Sequence, residues 1–184
     1  MMTESHIDYY RRSNCTVRIC ESVLCFIESE AAKAGKHETG GIIAGKGSYE
    51  ENNIVITHAS NSGPKAVKKR NFFSRDVFYC QRLLDQWANM SKGKIDYLGE
   101  WHKHFEEKPH PSPLDLDTMS RIAFARNYHI NNPVLLIIGS SNHRDSLRVF
   151  SIGFLGVEET NLQVENDSNS NGNDDYVSFV SEKM

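Results

Sequence analysis

The chain is patterned in short runs that switch between two periods. "CTVRIC" alternates apolar and polar positions as a strand does, and "ESVLCFIESEAAKAG" follows with Val23, Leu24, Ile27 and Ala31 at helical spacing before Gly35 ends the pattern. We therefore expect a strand and then a helix from Glu21 to Ala34. "TGGIIAGKGSYEENNIVITHAS" reads as two strands around the polar turn "GKGSYEENN". Val77, Cys80, Leu83, Leu84 and Trp87 then recur at helical intervals, which predicts an amphipathic helix over Asp76 to Met90 with Ser74 or Arg75 near its start. "IDYLGEWH" is a strand over 95–102. Ser112, Pro113 and Asp115 form the N-cap, first turn and capping acid of another helix reaching Asn127.

"NPVLLIIGS" and "SLRVFSIGFLG" are apolar strands parted by the polar turn "SNHRD". From Val157 the text becomes the low-complexity "ENDSNSNGNDD", with too little apolar surface to offset the entropy of ordering it, and "YVSFV" is left as a short docking strand. Strands alternating with helices in this way give an α/β fold with a central mixed sheet flanked by helices. Residues 1–14 are read as an N-terminal extension, 15–155 as one domain, and 156–184 as an acidic, largely disordered C-terminal tail.

Composition changes this picture in three places. At 184 residues with 39% hydrophobic content, the chain fills one sizeable core and leaves little for a second. No apolar run reaches the ~18 residues of a membrane helix, and "MMTESHIDYYRRSN" lacks the apolar stretch of a signal peptide, so a cytoplasmic location is expected. The four cysteines, Cys15, Cys20, Cys25 and Cys80, contain no C-x-x-C pair and read as buried free thiols. The net charge of −3 is uneven: "PKAVKKRNFFSR" gathers Lys65, Lys68, Lys69, Arg70 and Arg75, while acids dominate beyond residue 156. That basic run reads as a solvated loop. It holds the aromatics Phe72 and Phe73 but no nucleic-acid reading motif, so a nucleic-acid partner is disfavoured.

The chemistry concentrates in "GEWHKHFEEKPHPSPLD", Gly99 to Asp115. Side chains alternate along a strand, so His102 and His104 leave on one face and can meet one ion. The loop "FEEKPHP" returns the chain so that Asp115, in the first turn of the next helix, supplies a carboxylate as third ligand. A set of two histidines and one aspartate leaves zinc a fourth position open to water, which is the arrangement of a catalytic site. Zinc lowers the pKa of that water to about 7. Ser112 stands where its hydroxyl can donate to a developing oxyanion, and "HETGG" offers Glu38 as general base before two glycines that admit a close backbone. Glu100 shares the histidines' face by parity and rivals Glu38. Trp101 takes the opposite face and reads as core, whereas His37 and His110 read as surface or substrate-facing. Without a metal, Ser112 to Asp115 would be an ordinary helix cap.

H-x-H, seven residues, then S-x-x-D, with an upstream glutamate before a glycine-rich strand, resembles the JAMM signature of MPN⁺ (JAB-type) zinc metalloproteases. The likeness covers roughly residues 15–155 and is nearest to the short, single-domain bacterial members of ubiquitin-like conjugation and antiviral operons. It implies a cytidine-deaminase-like MPN fold and one zinc per chain on His102, His104 and Asp115, with Ser112 stabilising the tetrahedral intermediate and Glu38 as base. The chain departs from many relatives in placing Phe105 and Glu106 after the second histidine, where they have proline. The implied function is an isopeptidase or peptidase that cuts after the C-terminal tail of a ubiquitin-like protein, alone or in its conjugate, with E1-like and E2-like enzymes as operon partners. A peptidase of a sulfur-carrier protein or a small amino-acid conjugate, and a scaffold MPN domain without catalysis, are the alternatives.

Overall fold

A computed structural model describes residues 10–140, 144–154 and 156–167. Among these, the strands are β1 (Arg11–Cys20), β2 (Gly40–Ser48), β3 (Asn53–Ala59), β4 (Val67–Lys69), β5 (Phe72–Ser74), β6 (Asp96–Lys103), β7 (Val134–Ile138), β8 (Leu147–Gly153) and β9 (Gly156–Glu165). The helices are α1 (Glu21–Lys33), α2 (Val77–Met90) and α3 (Pro113–Phe124).

Seven strands share one mixed sheet in the order β1-β3-β2-β6-β7-β8-β9, and β9 pairs back with β1 to close it. The β1–β3, β1–β9 and β6–β7 pairs are parallel, and the others are antiparallel. Both faces are buried. On one, Val23, Leu24, Ile27 and Ala31 of α1 pack against Val17, Ile19, Ile43, Ile56 and Trp101. On the other, Tyr79, Leu83 and Trp87 of α2 and Met119 and Ile122 of α3 pack on Ile42, Tyr97, Leu135, Ile137 and Phe150. The unbroken apolar run of β7 follows from this, since every residue of "VLLII" is buried between two helical layers.

The helices form where their apolar positions predict, with refinements at their ends. Asp76, rather than Ser74 or Arg75, caps α2, its carboxylate accepting from the Tyr79 N–H at 3.1 Å. A full capping box starts α3, the Ser112 hydroxyl accepting from Asp115 N–H at 3.1 Å and the Asp115 carboxylate from Ser112 N–H at 2.7 Å. That helix stops at Phe124 and gives way to a short 3₁₀ turn, Arg126–Tyr128, before Asn127 is reached as α-helix.

Four expectations are corrected. The stretch assigned to an unstructured tail from residue 156 begins with a ten-residue strand, β9, hydrogen-bonded on both sides to β1 and β8. Its acids are paired with arginines: Glu158 with Arg11 and Glu165 with Arg18, both from far along the chain, and Glu159 with Arg148 of the neighbouring strand β8. At the other end, the first strand starts at Arg11, inside the expected N-terminal extension. Residues 168–184, with "YVSFV", lie outside the described residues. The basic run is not a plain loop but carries the small antiparallel hairpin β4–β5. Cys15, Cys20 and Cys80 are buried free thiols, whereas Cys25 is exposed. Among the described residues no helix is long and apolar enough to cross a membrane.

Candidate metal centre

Strand β6 delivers the two histidines. Its antiparallel register against β2 pairs Gly40 with His102, which brings the α1–β2 connection and Glu38 to the end of the strand where the histidines stand. The capping box of α3 brings Asp115 from the third side, because the same carboxylate that closes the box faces the imidazoles. One ligand atom from each of His102, His104 and Asp115 can be chosen so that all lie within 4.8 Å of one another.

The individual distances are shorter. His102 Nδ1 lies 2.8 Å from Asp115 Oδ1, and His104 Nε2 lies 3.3 Å from Asp115 Oδ2. Two donors on one tetrahedral zinc at ~2.0–2.1 Å stand roughly 3.4 Å apart, so these residues fit the ion with small side-chain adjustment. A set of two nitrogens and one oxygen suits zinc and keeps a fourth position free. The far nitrogen of His102, Nε2, meets Glu100 Oε2 at 3.1 Å. Such a carboxylate behind a ligating imidazole fixes its tautomer and ring plane. Glu100 is itself buried and paired with Arg75, whose Nη2 lies 3.0 Å from Oε1.

These contacts set the charges. Burial alone would lower the pKa of His102, but hydrogen bonds to Asp115 and Glu100 reverse that and hold it at about 9. Burial would raise Asp115, yet its bonds to His102, His104 and Ser112 hold it well below the usual carboxylate range. Glu100 is held low as well: burial opposes ionisation, and the bond to His102 and the charge of Arg75 outweigh it. Glu38 moves the other way. Its half-buried carboxyl is raised chiefly by desolvation, with Asp115 adding to the rise and His104 and His102 opposing it.

Glu38 and Ser112 line the same cleft as the three candidate ligands, a volume of about 320 Å³ walled also by Asn71, Phe72, Phe73 and Leu114. It continues into an open groove of about 1170 Å³ along residues 104–108 and 110–113. The Ser112 oxygen is engaged as acceptor by the Asp115 N–H, which leaves its own hydrogen to donate into the cleft. The hairpin forms one wall: Lys69 O accepts from the Glu38 N–H at 2.9 Å, and the Phe73 ring meets His102 edge-on at 5.6 Å between centroids. Glu100 is not in that cleft lining, and His37 is exposed. His110 lines the larger groove and is held by Arg148 Nη1, 2.8 Å from its Nδ1. The pairing of Arg75 with Glu100, the packing of Phe73 on His102 and the part of Arg148 went unrecognised in the sequence, where nothing local distinguishes them. Lys103 had a signal, since strand parity sends it to the face opposite the histidines.

Comparison with known proteins gives this geometry a lineage. The family described as prokaryotic homologs of the JAB domain matches residues 22–152. A protein of Enterobacter hormaechei subsp. hoffmannii named CD-NTase/cGAS isopeptidase is 34% identical over 125 residues, 67% of this chain and 67% of its own. A probable metalloprotease of Sinorhizobium fredii is 30% identical over 122 residues, 65% of this chain and 73% of its own. Against another protein of the first name the match spans 49% of that relative's length. Among solved structures, one of a Desulfitobacterium hafniense protein superimposes with a TM-score of 0.59 at 19% identity, covering 82% of this chain and 94% of the other, which shows a shared fold.

Proposed function

The chain belongs to the prokaryotic homologs of the JAB domain, and we propose that it is a zinc-dependent isopeptidase, one zinc per chain, that cuts a protein modifier from a target amine at the modifier's C-terminus. The observation that carries this is the convergence of His102, His104 and Asp115 at the head of a cleft whose rim holds Glu38 and Ser112.

In this reading His102, His104 and Asp115 hold the metal. Zinc, when bound, polarises the scissile carbonyl and acidifies water to a pKa near 7. Glu38 takes the proton of the attacking water and passes it to the leaving amine, for which a carboxylate raised by desolvation is better matched than an exposed one. Ser112 donates its hydroxyl hydrogen to the oxygen that gains charge as the carbonyl becomes tetrahedral. Glu100 is unsuited to the base role, because both of its oxygens are committed, one to Arg75 and one to His102.

The relatives' name points to a CD-NTase/cGAS protein as the modifier, and the signature's likeness to proteases of ubiquitin-like tails supports a ubiquitin-like protein as the second reading. A cleft walled by the β4–β5 hairpin and running into an open groove suits the extended C-terminal tail of either. The size of that groove favours a protein conjugate over a small amino-acid conjugate. Partners in this reading are the conjugate and the E1-like and E2-like enzymes that make it.

The test offers zinc-loaded protein two conjugates, a CD-NTase and a ubiquitin-like protein, each joined through its C-terminus to a lysine. We expect cleavage of one, a loss of at least ~10²-fold in Glu38→Gln and of ~10²–10³ in Ser112→Ala, with zinc content kept in both variants. Full activity in Glu38→Gln would remove Glu38 from the mechanism. No cleavage of either conjugate would favour a binding scaffold.

A further inference from the structure

Lys103 stands between the two histidines, and strand alternation turns its side chain to the other face of β6. It is 3% exposed. Its ammonium donates to two backbone carbonyls, Ala31 O and Gly35 O, each at 2.8 Å. Ala31 lies in the last turn of α1, where carbonyls have no partner within the helix and the negative pole favours a cation, and Gly35 lies two residues past the helix end. Gly35 leaves the helix with φ +56°, and Glu38 follows three residues later.

Two main-chain bonds also tie the segment that carries Glu38 to its surroundings. The Lys103 N–H donates to Thr39 O at 2.8 Å, and the Glu38 N–H donates to Lys69 O at 2.9 Å. One residue of the ligand strand thus grips the α1–β2 connection on both sides of Glu38, through its side chain before it and its backbone after it. An ammonium on the buried face of a strand is unfavourable unless its hydrogen bonds are made, and here they go to this connection.

We infer that Lys103 is a positioning residue for Glu38: its buried side chain fixes the α1–β2 connection against β6, and so sets where the Glu38 carboxylate stands relative to the metal ligands. The inference rests on Glu38 acting as the general base. The Lys103 ammonium is bonded to Ala31 O and Gly35 O and also lies 5.6 Å from the centroid of the Phe105 ring in the larger groove, so an effect through Phe105 would show in KM and an effect through Glu38 in kcat. Turnover responds steeply to such placement, since a 1 Å error in a reacting group can cost ~10²-fold. A lysine that merely stabilises the helix end would lower the melting temperature without touching the chemical step in the molecules that remain folded.

The experiment replaces Lys103 by Met, which keeps the length of the stem and removes the donors, and by Arg, which restores them. In the chelated protein, amide hydrogen exchange over residues 34–39 should accelerate in Lys103→Met while the amides of β7 keep their protection. In the zinc-loaded protein, zinc content and KM should stay unchanged and kcat should fall by at least ~10-fold, with most of the loss recovered in Lys103→Arg. In a Glu38→Gln background the same substitution should cost nothing further in kcat. Equal loss in both backgrounds, or unchanged exchange over 34–39, overturns the inference. A fully active Glu38→Gln would instead sink the base assignment, and the exchange result would still report whether Lys103 holds the segment. Should Lys103→Met fail to fold, Lys103→Gln, which keeps a donor, is read by the same measurements.

Discussion

Gly40→Ala tests whether the metal centre depends on the close approach of β2 to the ligand strand. A Cβ built on Gly40 would stand 2.3 Å from Trp101 O, 2.8 Å from His102 Cδ2 and 2.9 Å from Phe73 Cε1. Ordinary contact begins near 3.4 Å, so the backbone of β6 must retreat by about 1 Å, and the His102 and Phe73 rings must move with it. Overpacking of this kind costs about 1–3 kcal/mol. Part of that is relieved by displacing His102 from Asp115, which lies only 2.8 Å away. At ~1.4 kcal/mol per factor of ten, zinc affinity should weaken by ~10- to 100-fold. Gly41→Ala is the matched control. Its Cβ would strike Ser60 O at 2.2 Å, a clash as severe but against residues outside the cleft. Competition titration with a chromophoric chelator gives zinc affinity, and thermal melts give stability. We expect both variants to melt lower and Gly40→Ala alone to lose affinity. Equal affinity in the two variants would show that the packing of Gly40 on His102 does not shape the site.

Two further outcomes follow from the fold and its charges. Removing residues from Gly156 onward takes from β1 and β8 a hydrogen-bonded neighbour each and leaves the Arg148 guanidinium, 11% exposed, without Glu159. With the sheet opened between β1 and β8 and this ion pair lost, the truncated protein should show no cooperative melt, and a normal melt would refute the structural role of β9. In the chelated protein His102 titrates at about 9 rather than at the 6.5 of an unpaired histidine. A raised pKa contributes stability that is complete below the unfolded value and is lost as pH rises through the folded one. Unfolding free energies from denaturant titrations should therefore fall between pH 6.5 and pH 9 by up to ~3 kcal/mol, and a His102→Gln variant with the same slope would assign the effect elsewhere.

The parts of the site that could be read in the sequence are those whose geometry is local. His102 and His104 share a face because strands alternate, and Asp115 is three residues from Ser112 because a capping box requires that spacing. Helices α1 and α2 were legible because each buries one apolar stripe. What escaped depends on distant partners. Strand β9 reads as a solvating acidic tail only while its carboxylates are considered alone. Arg148 closes on Glu159 through both of its ends, at 2.9 and 2.8 Å, and main-chain pairing with β1 joins segments nearly 150 residues apart. Arg75 was hidden in a run of surface lysines for the same reason, since its partner Glu100 lies on another strand.

The register between β2 and β6 links the local and distant parts. It pairs Gly40 with His102, and a slip of one residue would turn the histidines to the α1 face and Lys103 into the cleft. Correct register is therefore checked from both sides of the sheet, by Lys103 reaching the end of α1 and by His102 reaching Asp115. The hairpin adds a third constraint on the same strand, because Phe73 rests on His102 and Arg75 neutralises the carboxylate behind it. An imidazole braced by Asp115, Glu100 and Phe73 has little freedom left to lose should it take up a metal, as proposed. In the proposed reading, metal affinity is accordingly a property of strand register and hairpin placement as much as of the three candidate ligands, His102, His104 and Asp115.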